Sequence, residues 1–416
     1  MSDRPETAAA AAAGSVMRPR ALFIAPEDFE REPVNLGAAT KIAALVRILD
    51  RLGHEVHYVD SSHWQARWAG AVHGRPSRVA GTPVTLWRPP MVPHRKLGKL
   101  LNVLGAAGFA RRLQGLRPAF TWIYNAYAFE AAVAHHLHAQ GVPFVLEIED
   151  LPLARPRGLN PKPHWDQQWF KRVLPQAGLV SFVNQRLLDE HRPEVRRSLL
   201  LPSVLRREFD DLAGRRRFAD AQTTRIGYFG GLSHEKGAGL LLEALARWPA
   251  DSTLVVTGQG DLGPAFAAAA ATPGSRLEYH GAVPSERLAP LMASCDAIVN
   301  PHRAIADMGD GVFPFKVCEA LAAGALLIST ELPPIAAPLA GAVLFFDGRV
   351  QGLLDAVVAA RAFDSEHRSQ IDALARHIAG EYGESAVAAR LAPLLAALTA
   401  PGPLPTATPQ PRLARR

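Results

Sequence analysis

Short apolar runs alternate with amphipathic stretches along most of the chain, and their order is strand, helix, strand. Residues 20–25 form an apolar run that predicts a strand, residues 26–35 a polar loop, and the periodic apolar positions of about 38–52 a helix. Gly53 then turns the chain into a second strand ending at Asp60, which completes a βαβ opening of a parallel sheet. Residues 121–124, 143–149, 179–184 and 198–203 predict four more strands, the first two separated by a helix carrying Ala131, Ala132, Ala134, His135 and His136. Residues 206–224, rich in Arg and Asp, read as a solvated linker.

The second half repeats the pattern. A strand at 225–229 runs into a glycine turn, a helix follows at 238–247, and strands at 252–258 and 276–281 come next. A helix at 285–294, a strand at 296–301, a helix opening at Pro314 and a strand at 325–330 close the run. The expected fold class is therefore α/β, with two Rossmann-like domains facing a central cleft. A last helix, about 385–398, has apolar positions Val387, Leu391, Leu394 and Leu395 that need a cover, and it is expected to cross back onto the first domain. The expected division is a leader at 1–18, a first domain at 19–204, a linker at 205–224, a second domain at 225–380, the crossing helix at 381–399 and a tail at 400–416. The Ala-rich leader lacks a basic n-region and the Pro-rich tail cannot bury a core, so both are expected to be disordered, with Met17 an alternative start.

Composition adds limits. A chain of 416 residues with 48% hydrophobic residues can build two cores. Cys295 and Cys318 lie in apolar or helical settings without metal spacing, which predicts buried thiols in a reducing compartment and so a cytoplasmic protein. A formal charge of +7 and a pI near 9.7 favour anionic partners, but no apolar run reaches the length of a spanning helix. Residues 95–112 combine Leu97, Leu100, Leu101 and Leu104 with Lys96, Lys99, Arg111 and Arg112, the make-up of a helix lying on the inner face of a membrane or of a domain helix with solvated basic residues. Nucleic acid is not an expected partner, because the basic residues lack interleaved aromatics and no DNA-reading motif is present. His135 and His136 have no third ligand nearby, so no metal site is expected.

The candidate chemistry gathers at the carboxyl ends of the expected strands, where α/β folds bind ligands. In residues 309–324 a Gly/Asp-rich loop leads into a helix whose Lys316 and Glu319 stand three residues apart on one face, near the positive end of the helix dipole. A phosphate suits that end and a carboxylate there can accept from both ribose hydroxyls; the alternative is a solvated Lys/Glu pair. Gly230, Gly231 and Lys236 form a second phosphate candidate, glycines for close backbone approach and lysine for charge, although the spacing matches neither GxxxxGKS/T nor GxGxxG. Glu149 and Asp150, at the end of a first-domain strand, either orient an acceptor hydroxyl or cap the next segment. Gly37 marks either a loop passing close to a ligand or a plain turn.

Five signals in order, at 230–237, 256–258, 280–283, 295–301 and 319–324, make the second half resemble the C-terminal half of family 4 glycosyltransferases of the GT-B fold. The first half is similar but looser, so the resemblance spans roughly residues 20–397. It implies retaining transfer of a sugar from a nucleotide-sugar donor to an acceptor hydroxyl of a glycan or lipid-linked sugar, with no metal or other cofactor required. It also implies that Lys236 holds the donor diphosphate, Glu319 the ribose diol and the backbone near Ala282 and Val283 the base. Two positions depart from the family pattern: Gly231 stands where an Arg is common, and Gly311 where a second Glu is common. Asp310 is adjacent to Gly311, and Pro314 with Lys316 matches a Pro-x-Lys arrangement of some members, which implies that Lys316 takes over a phosphate or sugar contact; a non-catalytic protein of the same fold is the alternative implied by the two departures.

Overall fold

The computed structural model describes residues 18–31, 36–62, 71–90, 92, 97–149, 161–210, 212, 224–302, 315–330, 342–363 and 365–400. The first part of the chain runs β1 (Arg20–Ala25), α1 (Leu36–Arg51), β2 (Glu55–Asp60), β3 (Val72–Val79), β4 (Thr82–Arg88), α2 (Leu97–Gln114), β5 (Phe120–Tyr124) and α3 (Ala128–His138). It continues through β6 (Phe144–Ile148), α4 (Pro161–Val173), β7 (Leu179–Phe182), α5 (Gln185–His191), β8 (Ser198–Leu200) and α6 (Arg207–Asp210). The second part runs β9 (Thr224–Phe229), α7 (Ala238–Leu245), β10 (Ser252–Thr257), α8 (Gly263–Ala270), β11 (Leu277–Tyr279), α9 (Ser285–Ala293) and β12 (Ala297–Asn300). It ends with α10 (Phe315–Ala322), β13 (Leu326–Ser329), β14 (Val343–Phe345), α11 (Val350–Ala360), α12 (Ser365–Tyr382) and α13 (Glu384–Thr399).

Two sheets result, in the orders β3-β4-β2-β1-β5-β6-β7-β8 and β11-β10-β9-β12-β13-β14. Every neighbouring pair is parallel except β3 with β4. The apolar runs explain this: β5, β6 and β7 are buried at every residue, as strands covered by helices on both faces must be. Each sheet reverses its strand order once, between β1 and β5 in the first and between β9 and β12 in the second. At such a point consecutive connections leave the sheet in opposite directions and open a crevice at the carboxyl edge.

The β3–β4 hairpin was not expected from the sequence. Gly74 and Pro76 interrupt β3 and its other exposed positions, His73, Arg75 and Arg78, are polar, so the run reads as a loop; at a sheet edge, with only one neighbour to satisfy, both residues are tolerated. Ala80 and Gly81, at φ 44° and 85°, make the two-residue turn. The expectation of a solvated linker is corrected at its start: Leu205 and Phe209 are fully buried, and the Leu205 amide donates to the Tyr382 carbonyl at 2.8 Å. The rest of that stretch, apart from Leu212, lies outside the described residues until β9 begins.

The final helix does cross back. Val387, Leu391, Leu395 and Leu398 of α13 are buried in one cluster with Ile42, Leu45 and Leu49 of α1 and with β1 and β5, while Leu394 is partly buried. Arg47 of α1 and the buried Glu384 of α13 form an ion pair, joined by Arg51 at 3.2 Å, and Arg390 donates to the Leu200 carbonyl at 2.9 Å. On the far face of the sheet, α2 packs Val103, Ala106, Phe109 and Leu113 beside Phe129 and Val133 of α3. Its outward positions include Leu101 and Leu104, the latter 77% exposed. No helix among the described residues is long and apolar enough to cross a membrane.

Candidate functional site

The loops after β9, β10 and β11 are stacked against one another at the carboxyl edge of the second sheet, and glycines make the stacking possible. A Cβ on Gly258, which sits at φ 144°, would lie 1.8 Å from the Gly230 carbonyl oxygen. The Gly258 amide donates to the Gly281 carbonyl at 2.8 Å, which ties the next loop, carrying Ala282 and Val283, to the same edge. Gly237, at φ 78°, precedes α7, and a Cβ there would lie 2.0 Å from the Pro301 carbonyl oxygen, so the turn after β9 is pressed onto the end of β12 across the strand-order reversal. The Tyr228 hydroxyl donates to the Gly231 carbonyl at 2.7 Å and fixes the turn from below.

Two lysines enter this frame from different elements. Lys236 ends the glycine turn with its side chain 42% exposed. Lys316 comes from the first turn of α10, and its ammonium lies 4.5 Å from the centre of the Tyr228 ring, a cation–π contact. It also lies against the turn itself, since a Cβ on Gly230 would stand 3.5 Å from Lys316 Nζ, in ordinary contact. Burial, and then the like charge of Lys236, pull the Lys316 ammonium down to about 7. Two cations that repel one another beside a glycine turn favour an anion between them.

Glu319 is placed differently from the expectation. It was expected to stand near Lys316 in a partly solvated helix start, but it is 3% exposed and its carboxylate is held by Arg206, with Nε–Oε1 at 2.7 Å and Nη2–Oε2 at 3.1 Å. Burial pushes its carboxyl above the ordinary range, against the pull of the Arg206 charge. Its neighbour Cys318 is fully buried near Ser203, and its thiol is pushed up to about 12 by burial and by the Glu319 charge. Cys295 is likewise a buried thiol, donating to the Leu291 carbonyl at 3.5 Å. Arg206 and Ser203 belong to the segment after β8, so α10 of the second sheet rests on the end of the first.

On the first-domain side, Glu149 follows β6, and its amide donates to the Asn125 side chain at 2.9 Å, Asn125 itself being left-handed at φ 62°. Its carboxylate is paired with Lys41 of α1. Lys41 is 1% exposed; it also bonds Glu147 at 2.9 Å and donates to the Leu201 carbonyl at 2.7 Å, while Glu147 accepts from Trp122 Nε1 at 3.0 Å. Burial opposes the Lys41 charge, but the two carboxylates prevail and its ammonium is held above the ordinary lysine value. Gly37 lies in the first turn of α1, which starts earlier than expected. Asp150, Asp310, Gly311 and Pro314 lie outside the described residues. No group of three metal-ligating side chains occurs among the described residues.

Lys41 and Arg206 were missed from the sequence. Lys41 had a signal, because it falls in register with the apolar stripe Ala44, Leu45 and Ile48, where a lysine must find buried acceptors. Arg206 had none, since its partner lies 113 residues away.

Residues 223–362 match the family model described as Glycosyl transferases group 1. No curated protein sequence matches the chain. Among solved structures, HepE from Anabaena in complex with UDP superposes with a TM-score of 0.58 at 16% identity, over 91% of this chain and 99% of that one. An α,α-trehalose-phosphate synthase (UDP-forming) from Burkholderia vietnamiensis gives 0.63 at 11% identity, over 92% and 99%. An Escherichia coli structure described as trehalose-6-phosphate bound with UDP-2-fluoro glucose gives 0.61 at 13% identity, over 90% and 99%. The chain thus has the GT-B fold, and residues 223–362 are similar to group 1 glycosyl transferases.

Proposed function

We propose that the protein transfers a sugar from a nucleotide-sugar donor to an acceptor hydroxyl, with retention of configuration, in the synthesis of a cell-surface polysaccharide or glycolipid. The observation that carries this is the convergence of Lys236 and Lys316 on the glycine turn after β9, beside the strand-order reversal of the second sheet. Breaking the bond between sugar and diphosphate leaves negative charge on the diphosphate, and two fixed ammonium groups stabilise that charge as it develops. This chemistry uses the lysines in place of a metal. The solved relatives whose titles name UDP or UDP-2-fluoro glucose support a donor of the same class here.

In this proposal Lys236 and Lys316 hold the diphosphate, Glu319 the ribose, and the loop with Ala282 and Val283 the base. Asp310 and Gly311, outside the described residues, are the candidates for contact with the donor sugar. The edge of the first sheet at Glu149 receives the acceptor, Lys41 keeps Glu149 in place, and Asp150 next in the chain is the second candidate for the acceptor hydroxyl. A membrane-bound acceptor suits the outward leucines of α2, which lie on the same helix as the exposed Arg111. The protein then works at the cytoplasmic face of a membrane.

The test is transfer by the purified full chain: a panel of nucleotide sugars is scored for release of nucleoside diphosphate, first with water and then with lipid-linked acceptors. Lys236→Ala is expected to lower turnover and to weaken nucleoside diphosphate more than nucleoside. The alternative, a non-catalytic binding protein, is favoured by the absence of the family Arg at Gly231. It takes over if a nucleotide sugar raises the melting temperature and is never consumed.

A further inference from the structure

We propose that Arg206 is a positioning residue for nucleotide recognition: it aligns the Glu319 carboxylate so that its remaining lone pairs receive the ribose diol, and the donor site is thereby completed from the first domain. The inference rests on the donor-site role given to Glu319 above.

The geometry is two-pronged. Arg206 Nε reaches one carboxylate oxygen at 2.7 Å and Nη2 the other at 3.1 Å, which is the fork arrangement that locks both the plane and the rotation of a carboxylate. An ionised carboxylate offers about four lone-pair directions, so a fork that takes one on each oxygen leaves one on each for two neighbouring hydroxyls. A protonated carboxyl could not serve, because one of its oxygens would become a donor. At 3% exposure Glu319 needs a counter-charge to stay ionised, and Arg206 is the cation that bonds it. Glu208, also near it among the described residues, works in the opposite sense.

Arg206 is itself held in place. The segment before it is anchored by the Leu201 carbonyl to Lys41 and by the Leu205 amide to the Tyr382 carbonyl, and Phe209 after it is fully buried. A guanidinium on such a segment carries the position of the first domain to a carboxylate on α10. The nucleotide therefore reads, through one ion pair, whether the two domains are in register.

The experiment measures the affinity of the full chain for UDP, GDP and ADP and for the 2′-deoxy form of each, by calorimetry. For the base that binds best, the wild type should prefer the ribonucleotide by about ten- to a hundredfold, the factor expected for one hydrogen bond to a charged group. In Arg206→Gln that ratio should fall towards one, the 2′-deoxy form losing no more than the contact of its 3′ hydroxyl with Glu319 because Lys236 and Lys316 are untouched; Arg206→Lys should lie between. A general loss of structure would weaken both forms together and leave the ratio unchanged. A wild-type ratio preserved in Arg206→Gln, or in Arg206→Lys should the first variant not fold, overturns the inference and leaves the role of Glu319 standing. A wild-type ratio near one overturns the ribose role of Glu319 as well, and a wild type that binds none of the three nucleotides overturns the donor site itself.

Discussion

The ammonium of Lys316 lies 4.5 Å from the centre of the Tyr228 ring, and the hydroxyl of that same tyrosine holds the Gly231 carbonyl at 2.7 Å. One aromatic side chain therefore fixes both the turn and the cation beside it. Within the described residues, the ring gives Lys316 only a weak counter-charge, and burial together with Lys236 brings its ammonium down to about 7.

A diphosphate entering the site should raise that value, so binding takes up a proton once Lys316 is neutral. The sign follows: affinity is full below about pH 7, where the ammonium is already charged, and falls as pH rises above it, by at most about tenfold per unit. Affinities of a nucleoside diphosphate measured from pH 7 to 9 should show this decline, and calorimetry in buffers of different ionisation enthalpy should count the proton. Lys316→Arg, which stays charged, should flatten the profile. A wild-type profile already flat over that range would mean that no charge on Lys316 is recruited by the ligand.

The alternating runs carried most of this architecture, because strands buried on both faces leave little choice of residue; β1, β5 to β7 and β9 to β13 fall within a few residues of where the apolar pattern puts them. What the pattern hid was long-range pairing. Lys316 and Glu319 look like partners at helical spacing, yet α10 turns one to Tyr228 and the other to Arg206. Local sequence carries no term for a partner delivered by another sheet. The β3 edge strand was hidden for the opposite reason, since Gly74 and Pro76 are loop residues by composition and are admitted only by their place at the margin.

Burial also decides what substitution at Lys41 does. With 1% exposure and two carboxylates on it, Lys41→Met leaves Glu147 and Glu149 facing one another without a counter-charge, a loss of about 3–5 kcal/mol for a broken buried pair. Chemical denaturation of the variant should show a lower midpoint at pH 7 and partial recovery towards pH 5, where one carboxyl can protonate. The recovery follows because the folded variant then binds a proton more readily than the unfolded chain. Equal losses at both pH values would show that packing and not charge is what Lys41 supplies.

The outward face of α2 makes a separate case. Leu101 is 43% and Leu104 77% exposed, with Arg111 exposed further along the helix, whereas Arg112 is turned to His73 of β3. Leu104→Ser should reduce sedimentation with vesicles of anionic lipid, and raised salt should reduce it further through the basic residues. Neither change should alter the melting temperature by more than a surface substitution does, about 0.5 kcal/mol in stability. Vesicle binding that survives both changes would move the membrane contact to another surface.

The last prediction concerns the helix that closes the chain on itself. Leu391 of α13 is fully buried beside α1, and a leucine-to-alanine change at such a site costs about 2–5 kcal/mol. Because α12 before it packs on α10, and α13 itself packs on α1, the crossing helix links the donor lysine's helix to the first domain. Leu391→Ala should therefore do more than lower stability. It should loosen the register of the two domains, so that unfolding followed by an aromatic signal of the first domain, Trp122, separates from unfolding followed by the melting shift that a nucleoside diphosphate gives the second. In the wild type the two signals should coincide, as they do for a cooperative unit. If they coincide in the variant as well, α13 contributes burial alone and the coupling between the domains runs through the Arg206 segment.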